Sequence, residues 1–237
     1  MFAEGINEKD CICAVSVIKE TDTTGIGNVV LGTELNRLYI LDNFGHSIID
    51  VRIINYPPCL IFAYGKYSMK YLVICISRDG IIGMYTQSDK NDTSEIIKLN
   101  SRIVSADLSF PDFVISTADN VMSLYSFSNQ NFKLPVPKFS IKLNKKPIKC
   151  LLMKHKGIKL ILVAFSDEFR IYNQKEVIYR QESDKKINSV TYGSFAREQN
   201  CLILLYEKDG FEVLITHRLF NPKEKYEPKL LKKVEKD

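Results

Sequence analysis

The chain has 237 residues, 45% of them hydrophobic and 26% charged, with a formal net charge of +5 at pH 7. These are the proportions of an ordinary globular protein, and they exclude collagen and low-complexity disorder. No apolar run approaches the ~18 to 20 residues a membrane-spanning helix needs, and so mild a charge excess does not by itself imply nucleic acid.

Met1 to Asp10 carry three acids and no long apolar block, so no secretory signal is expected. From there the dominant period is two rather than 3.6. Phe139-Ser140-Ile141-Lys142-Leu143 alternates strictly, and Phe211 to Thr216 nearly so. Alternation places one side of a segment on a core and the other toward solvent, as a half-buried strand requires.

The expected strands fall into groups. The first group is Cys11–Ile18, then Asn28–Leu41 folded about a turn near Glu34–Asn36, then Ser47–Ile53. The second is Cys59–Tyr64, Tyr71–Tyr85 about Asp79-Gly80, and Ser94–Leu99. The third is Ile103–Leu108, Phe113–Tyr125 about Asp119-Asn120, and Lys138–Leu143. The fourth is Ile148–Met153, Leu160–Tyr172 about Ser166-Asp167, and Glu176–Glu182. The fifth stops at three strands, Ile187–Tyr192 and Cys201–Ile215 about Asp209-Gly210. Asp-Gly and Asp-Asn adopt positive φ cheaply, so two-residue hairpins are expected at these turns.

The turn aspartates Asp79, Asp119, Asp167 and Asp209 recur at intervals of 40, 48 and 42 residues. Four strands per ~40 to 45 residues is the blade of a β-propeller. The expected fold is therefore all-β, a propeller of four-stranded blades with about four and a half blades over residues 1–221. A charged tail or linker, residues 222–237, follows with six Lys, four acids and two Pro; a short partner-bound helix over Lys229–Lys236 is the sharper reading of it. The chain has no Trp, and its one Gly-His pair, Gly45-His46, lies on the wrong side of its hairpin, so the repeat is not of the WD type.

Residues that carry chemistry are sparse. Cys11, Cys13, Cys59, Cys75, Cys150 and Cys201 sit among aliphatic residues and read as reduced core thiols in a cytoplasmic protein. Cys11-x-Cys13 has no second pair to complete a zinc site. His46, His155 and His217 are scattered, no G-x-S-x-G elbow exists, and Gly193-Ser194 has no neighbouring His. Gly25-Ile26-Gly27-Asn28 precedes a strand rather than a helix, so it reads as a loop and not a phosphate cradle. Asp79 and Asp209 have backbone reasons to occupy turns and lie in no calcium-loop pattern. Asn91-Asp92-Thr93 fits a glycosylation sequon and is read as unmodified. The basic stretches Lys142–Lys149 and Lys223–Lys236 are diluted by Pro, apolar residues or acids. Catalytic, cofactor-binding and metal-binding residues are all expected to be absent, and partner-binding residues stay unassigned.

Three segments carry a resemblance. Val29-Val30-Leu31-Gly32-Thr33-Glu34-Leu35-Asn36-Arg37-Leu38-Tyr39-Ile40-Leu41-Asp42 resembles a blade hairpin of the Bardet–Biedl syndrome 1 protein family, subunit 1 of the BBSome. Phe165-Ser166-Asp167-Glu168-Phe169-Arg170-Ile171-Tyr172 is similar to a second family hairpin, and Val190 to Ile203 to a third stretch. In the third, Ala196 stands at a family Gly and Phe195 at a Tyr. The resemblance runs from about Cys11 to Arg218. It implies part of a seven-bladed propeller, and four blades and three strands fall short of that ring, so a fragment or short form is expected.

The resemblance further implies a non-enzymatic scaffold without cofactors, in a coat-like complex that moves membrane proteins into and out of cilia. The implied partners are the other BBSome subunits and an Arf-like small GTPase that recruits the propeller to membranes. Peripheral membrane association is allowed and nucleic acid is not expected. The implied locations are cytoplasm, cilium, basal body and ciliary membrane. The alternative is a propeller adaptor in a non-ciliary cytosolic assembly. A third class, an enzyme with polar groups along a central channel, finds mostly Ile, Val, Leu and Cys on the candidate inner strands.

Overall fold

The computed structural model of the chain describes residue 6 and residues 10–19, 27–87, 95–127 and 135–216. Nineteen strands form among the described residues, in five antiparallel sheets whose strands pair in chain order. Sheet one is β1 (Ile12–Lys19), β2 (Gly27–Thr33), β3 (Arg37–Leu41) and β4 (Ile48–Ile53). Sheet two is β5 (Leu60–Lys66), β6 (Lys70–Ile76), β7 (Ile81–Thr86) and β8 (Glu95–Lys98). Sheet three is β9 (Ile103–Ser109), β10 (Asp112–Thr117), β11 (Val121–Ser126) and β12 (Val136–Lys142). Sheet four is β13 (Lys149–His155), β14 (Ile158–Ala164), β15 (Glu168–Asn173) and β16 (Glu176–Glu182). Sheet five has three strands, β17 (Ile187–Phe195), β18 (Glu198–Tyr206) and β19 (Phe211–Ile215). Every expected strand is present with its ends within three residues, and the four-stranded meander is the expected propeller blade.

The chain divides into two compact units, Met1–Pro147 with blades one to three and Ile148–Asp237 with blades four and five. In the first unit, β6 shows how a second strand is buried on both sides. Tyr71, Val73 and Cys75 point into a core with Ile18, Val30, Leu38 and Ile40 of blade one. The alternate residues Leu72, Ile74 and Ile76 point into a core with Ile103, Ala106, Phe113 and Ile115 of blade three. A strand with a core on each face reads as a continuous apolar run, which is why Tyr71 to Ile76 does not alternate. Each fully buried Ile or Leu contributes about 1.5–3 kcal/mol of transfer free energy. In the second unit, Leu160, Leu162 and Phe169 of blade four pack with Val190, Leu202 and Leu204 of blade five.

The hairpin turns correct one expectation. At Ser166-Asp167 the loop is two residues long, closed by Phe165 N donating to Glu168 O at 2.8 Å. Elsewhere it has three or four residues, and positive φ falls on the last of them alone: Asn36 (59°), Gly80 (93°), Asn120 (63°) and Gly210 (76°). The neighbouring Asp79, Asp119 and Asp209 keep negative φ. In blades one to three an i→i+3 bond precedes that residue, from Asn36 N to Thr33 O, Gly80 N to Ser77 O, and Asn120 N to Thr117 O. One turn followed by one left-handed residue matches strand twist about as well as a two-residue primed turn.

A hydroxyl completes each of those three turns. Thr33 Oγ1 donates to the Arg37 carbonyl, Ser77 Oγ accepts from Ile81 N, and Thr117 Oγ1 donates to the Val121 carbonyl. The spacing is i to i+4 each time. The repeat signal is thus a Ser or Thr three residues before an Asn or Gly. The aspartate spacing found the right turns through a neighbouring position.

Candidate partner-binding surfaces

Several of the residues singled out by their chemistry lie among the described residues. Gly27 opens β2, where a Cβ would lie 2.3 Å from the Ile18 carbonyl oxygen, so its glycine permits the close approach of β1 and β2. Gly25 and Ile26, the sequon at Asn91-Asp92-Thr93, His217 and Lys223–Lys236 with the rest of the tail lie outside the described residues. Gly193 and Ser194 sit in β17 at a register shift, not on an elbow. Asp79 is exposed, 3.8 Å from Arg102 Nε. Bonds from Thr117 and Ser101 hold the Asp119 carboxyl below its ordinary range. Lys142 donates to the Asp119 carbonyl.

The thiols correct a second expectation. Cys75, Cys150 and Cys201 are buried and Cys59 is half-buried, but Cys11 and Cys13 are exposed. Cys13 Sγ reaches the Gly32 carbonyl at 3.4 Å, and partial desolvation raises its pKa. Among the described residues no three His, Cys, Asp or Glu side chains converge as metal ligands would. His46 lies in the β3–β4 loop of the first unit. His155 is buried in the second, its Nδ1 3.3 Å from Thr216 Oγ1.

The fully buried carboxylate, Glu168, is enclosed by cations. Arg170 and Arg180 both donate to it, and the Arg170 guanidinium lies 4.8 Å from the Phe165 ring centroid. Both carboxylate oxygens are used inside the blade. The arrangement ties β15 to β16 across blade four.

What the structure offers a partner is surface. The β3–β4 loop is braced by Asp42, whose carboxylate accepts from Phe44 N, His46 N, Ser47 N and Ser47 Oγ. The bonds from Ser47 and the His46 amide hold its pKa down. Gly45 reverses the chain at φ 73°. The loop holds Phe44 75% exposed, its ring stacked on His46 at 6.1 Å. In blade five, Phe195, Leu205 and Phe211 are exposed, with Phe195 and Phe211 centroids 6.0 Å apart.

A further apolar surface is the side of blade one that turns away from blade two. Val15, Leu31, Tyr39 and Val51 form one cross-strand row on it. Val17 pairs with Val29, and Ile53 with Arg37, on the same side. Ile6 packs over Leu31, Tyr39 and Leu41, together with Val29 and Ile48. Val15, Val17, Val51 and Ile53 stay exposed at 61%, 39%, 49% and 73%. Alternation revealed these strands, but not which side faces a neighbouring blade.

Known proteins share this architecture. A family model described as ciliary BBSome complex subunit 1 matches residues 1–85. The human protein named BBSome complex member BBS1 is 22% identical over 223 residues, which is 91% of this chain and 36% of that protein. The mouse protein of the same name is 22% identical over 219 residues, 90% of this chain and 36% of its own length. The chain thus spans about a third of the curated relatives it matches. Among solved structures, a crystal structure of BBS1N in complex with ARL6DN, soaked with mercury, superposes with a TM-score of 0.78 at 21% identity, covering 91% of this chain and 69% of that one. A lead-soaked crystal of the same complex gives a TM-score of 0.76 at 20% identity, covering 92% and 64%. The chain resembles the N-terminal propeller region of BBSome subunit 1 in both sequence and fold.

Proposed function

We propose that this chain is a non-enzymatic propeller scaffold of a BBSome-like coat, working through its loops and blade faces in the traffic of membrane proteins to and from cilia. The supporting observation is the similarity to BBS1 over nine-tenths of the chain, seen in both sequence and backbone geometry. The structural relatives are complexes with ARL6, an Arf-like GTPase, so the proposed recruiting partner is a GTPase of that class in its GTP-bound form. The other partners are coat subunits, and the location is cytoplasm, basal body and cilium.

The test is a pull-down with the tagged full chain from ciliated cells, alongside purified Arf-like GTPase loaded with GTP or GDP. Recovery of coat subunits and GTP-dependent capture of the GTPase are expected. A chain that recovers neither and stays diffuse in ciliated cells would overturn the reading. Recovery of a different, non-ciliary assembly would replace it with the adaptor alternative.

A further inference from the structure

We propose that the cleft between blades two and three is a socket for one unsubstituted aromatic ring, a phenylalanine side chain carried by a basic peptide segment of a partner protein. The cleft has a volume of about 130 Å³. Leu99, Ile115 and Val121 supply its apolar wall, and Ser101, Thr117 and Ser123 its hydroxyls. Both blades are complete four-stranded sheets within the first unit.

The junction between blades one and two shows what this space holds. Two backbone bonds fix the equivalence. Ile54 N donates to the turn carbonyl of Asn36 at 2.8 Å, and Leu99 N to that of Gly80 at 2.9 Å. Tyr56 and Ser101 each stand two residues further on. On the facing blade, four residues before the turn aspartate in each case, Cys75 pairs with Gly83 and Ile115 with Ser123. At the first junction Tyr56 is buried, and its hydroxyl donates to the Cys75 carbonyl at 3.0 Å. Its ring fills the seat between the blades. At the second junction serine stands in the place of tyrosine, and the seat is open. An aliphatic-lined cavity of about 150 Å³ binds benzene, so the open space has the size of one ring.

A second difference selects the ring. A Cβ at Gly83 would lie 2.3 Å from the Tyr56 hydroxyl oxygen, whereas every ring carbon of Tyr56 is at least 3.2 Å away. Ser123 carries a Cβ at the equivalent point. The cleft is thus closed where a phenol would place its oxygen and open where it would place its ring, which favours Phe over Tyr. Charge selects the segment that carries the ring. Among the described residues Asp119 is the one charged residue lining the cleft. The neighbouring cations are engaged elsewhere, Lys142 with the Asp119 backbone carbonyl and Arg102 with Asp79. A Lys or Arg beside the incoming Phe is attracted to the Asp119 carboxylate, and an acidic neighbour is repelled. The inference does not depend on the coat reading.

The test is methyl NMR of the purified full chain with toluene as the probe. Shifts are expected at Leu99, Ile115 and Val121, and p-cresol at equal concentration should shift them at least ~3-fold less. Ser123→Gly should bring p-cresol up to the level of toluene. Ser101→Phe should fill the cleft from within, abolish the toluene shifts and raise the melting temperature by about 2–4 °C. The capped peptide Lys-Phe-Lys should shift the same methyls at a concentration at least ~3-fold below that needed for Glu-Phe-Glu, an advantage that fades in about 1 M salt. Methyls unmoved by toluene, p-cresol equal to toluene on the parent, shifts that persist in Ser101→Phe, a lower melting temperature in that variant, or indifference to peptide charge would each overturn the inference.

Discussion

Arg52, on the last strand of blade one, donates from Nη2 to the Tyr71 hydroxyl of blade two at 3.0 Å. Its Nη1 also donates to the Thr86 carbonyl at 2.8 Å, and its Nε is held by Asp50 at 3.0 Å. The guanidinium is a polar clasp between two sheets that also share an apolar core. Its side chain is only 13% exposed, so each bond lies in a medium where charge-assisted contacts exceed their surface value.

Arg52→Met should therefore destabilise the first unit by about 1–3 kcal/mol, the cost of leaving buried partners unpaired. Urea unfolding should show a lower midpoint with an unchanged slope. Arg52→Lys should recover little, because a point charge cannot serve three acceptors in one plane.

Tyr71 gives the same junction an alkaline limit. Burial pushes its hydroxyl up to about 12, despite the opposing pull of Arg52. The unfolded chain would ionise it near ~10. Its neutral form favours the folded state, so that contribution is complete below pH ~10 and is lost as pH rises from ~10 toward ~12. Tyrosinate absorbance should show a late-titrating class coincident with unfolding, and Tyr71→Phe should reduce that class by one residue.

Gly83 is required by packing rather than by backbone torsion. A Cβ there would lie 2.3 Å from Tyr56 Oη, which itself donates to the Cys75 carbonyl at 3.0 Å. Gly83→Ala should cost about 1–3 kcal/mol as overpacking. Tyr56→Phe removes the obstructing oxygen, so the double variant should be less damaged than the sum of the singles. A double-mutant cycle should give a coupling of at least about 0.5 kcal/mol.

Glu168 is the ionic centre of blade four. Glu168→Ala leaves Arg170 without its buried carboxylate and should cost about 3–5 kcal/mol. Glu168→Leu combined with Arg170→Met should recover much of that loss, since apolar replacement of a whole buried pair is often neutral. Thermal unfolding of the three proteins checks both statements.

The Asp42 loop has an acid limit. Its carboxyl titrates below the ordinary carboxylate range because Ser47 and the loop amides favour its charged form. The bracing is in place above the unfolded value near ~3.9 and is lost as pH falls through the depressed one. Asp42→Asn should speed amide exchange at Phe44, His46 and Ser47 at neutral pH. Unchanged exchange would show that the backbone alone holds the loop.

Much of the fold was legible from local rules. Residues such as Phe139 to Leu143 alternate because one side is wetter than the other. Gly80, Asn120 and Gly210 mark turns because few residues accept positive φ. Four strands per repeat then favours a propeller over a sandwich. What the residue order could not decide is which of two apolar sides meets a neighbour. Val15 and Ile18 are equally aliphatic, yet Ile18 is fully buried against blade two and Val15 is 61% exposed. Cys13 and Cys75 have equally apolar sequence neighbours, yet only Cys75 is buried. Periodicity records that a side chain lies on one face of a strand. Burial depends on whether another sheet, distant in sequence, packs against that face, and only the tertiary structure decides that.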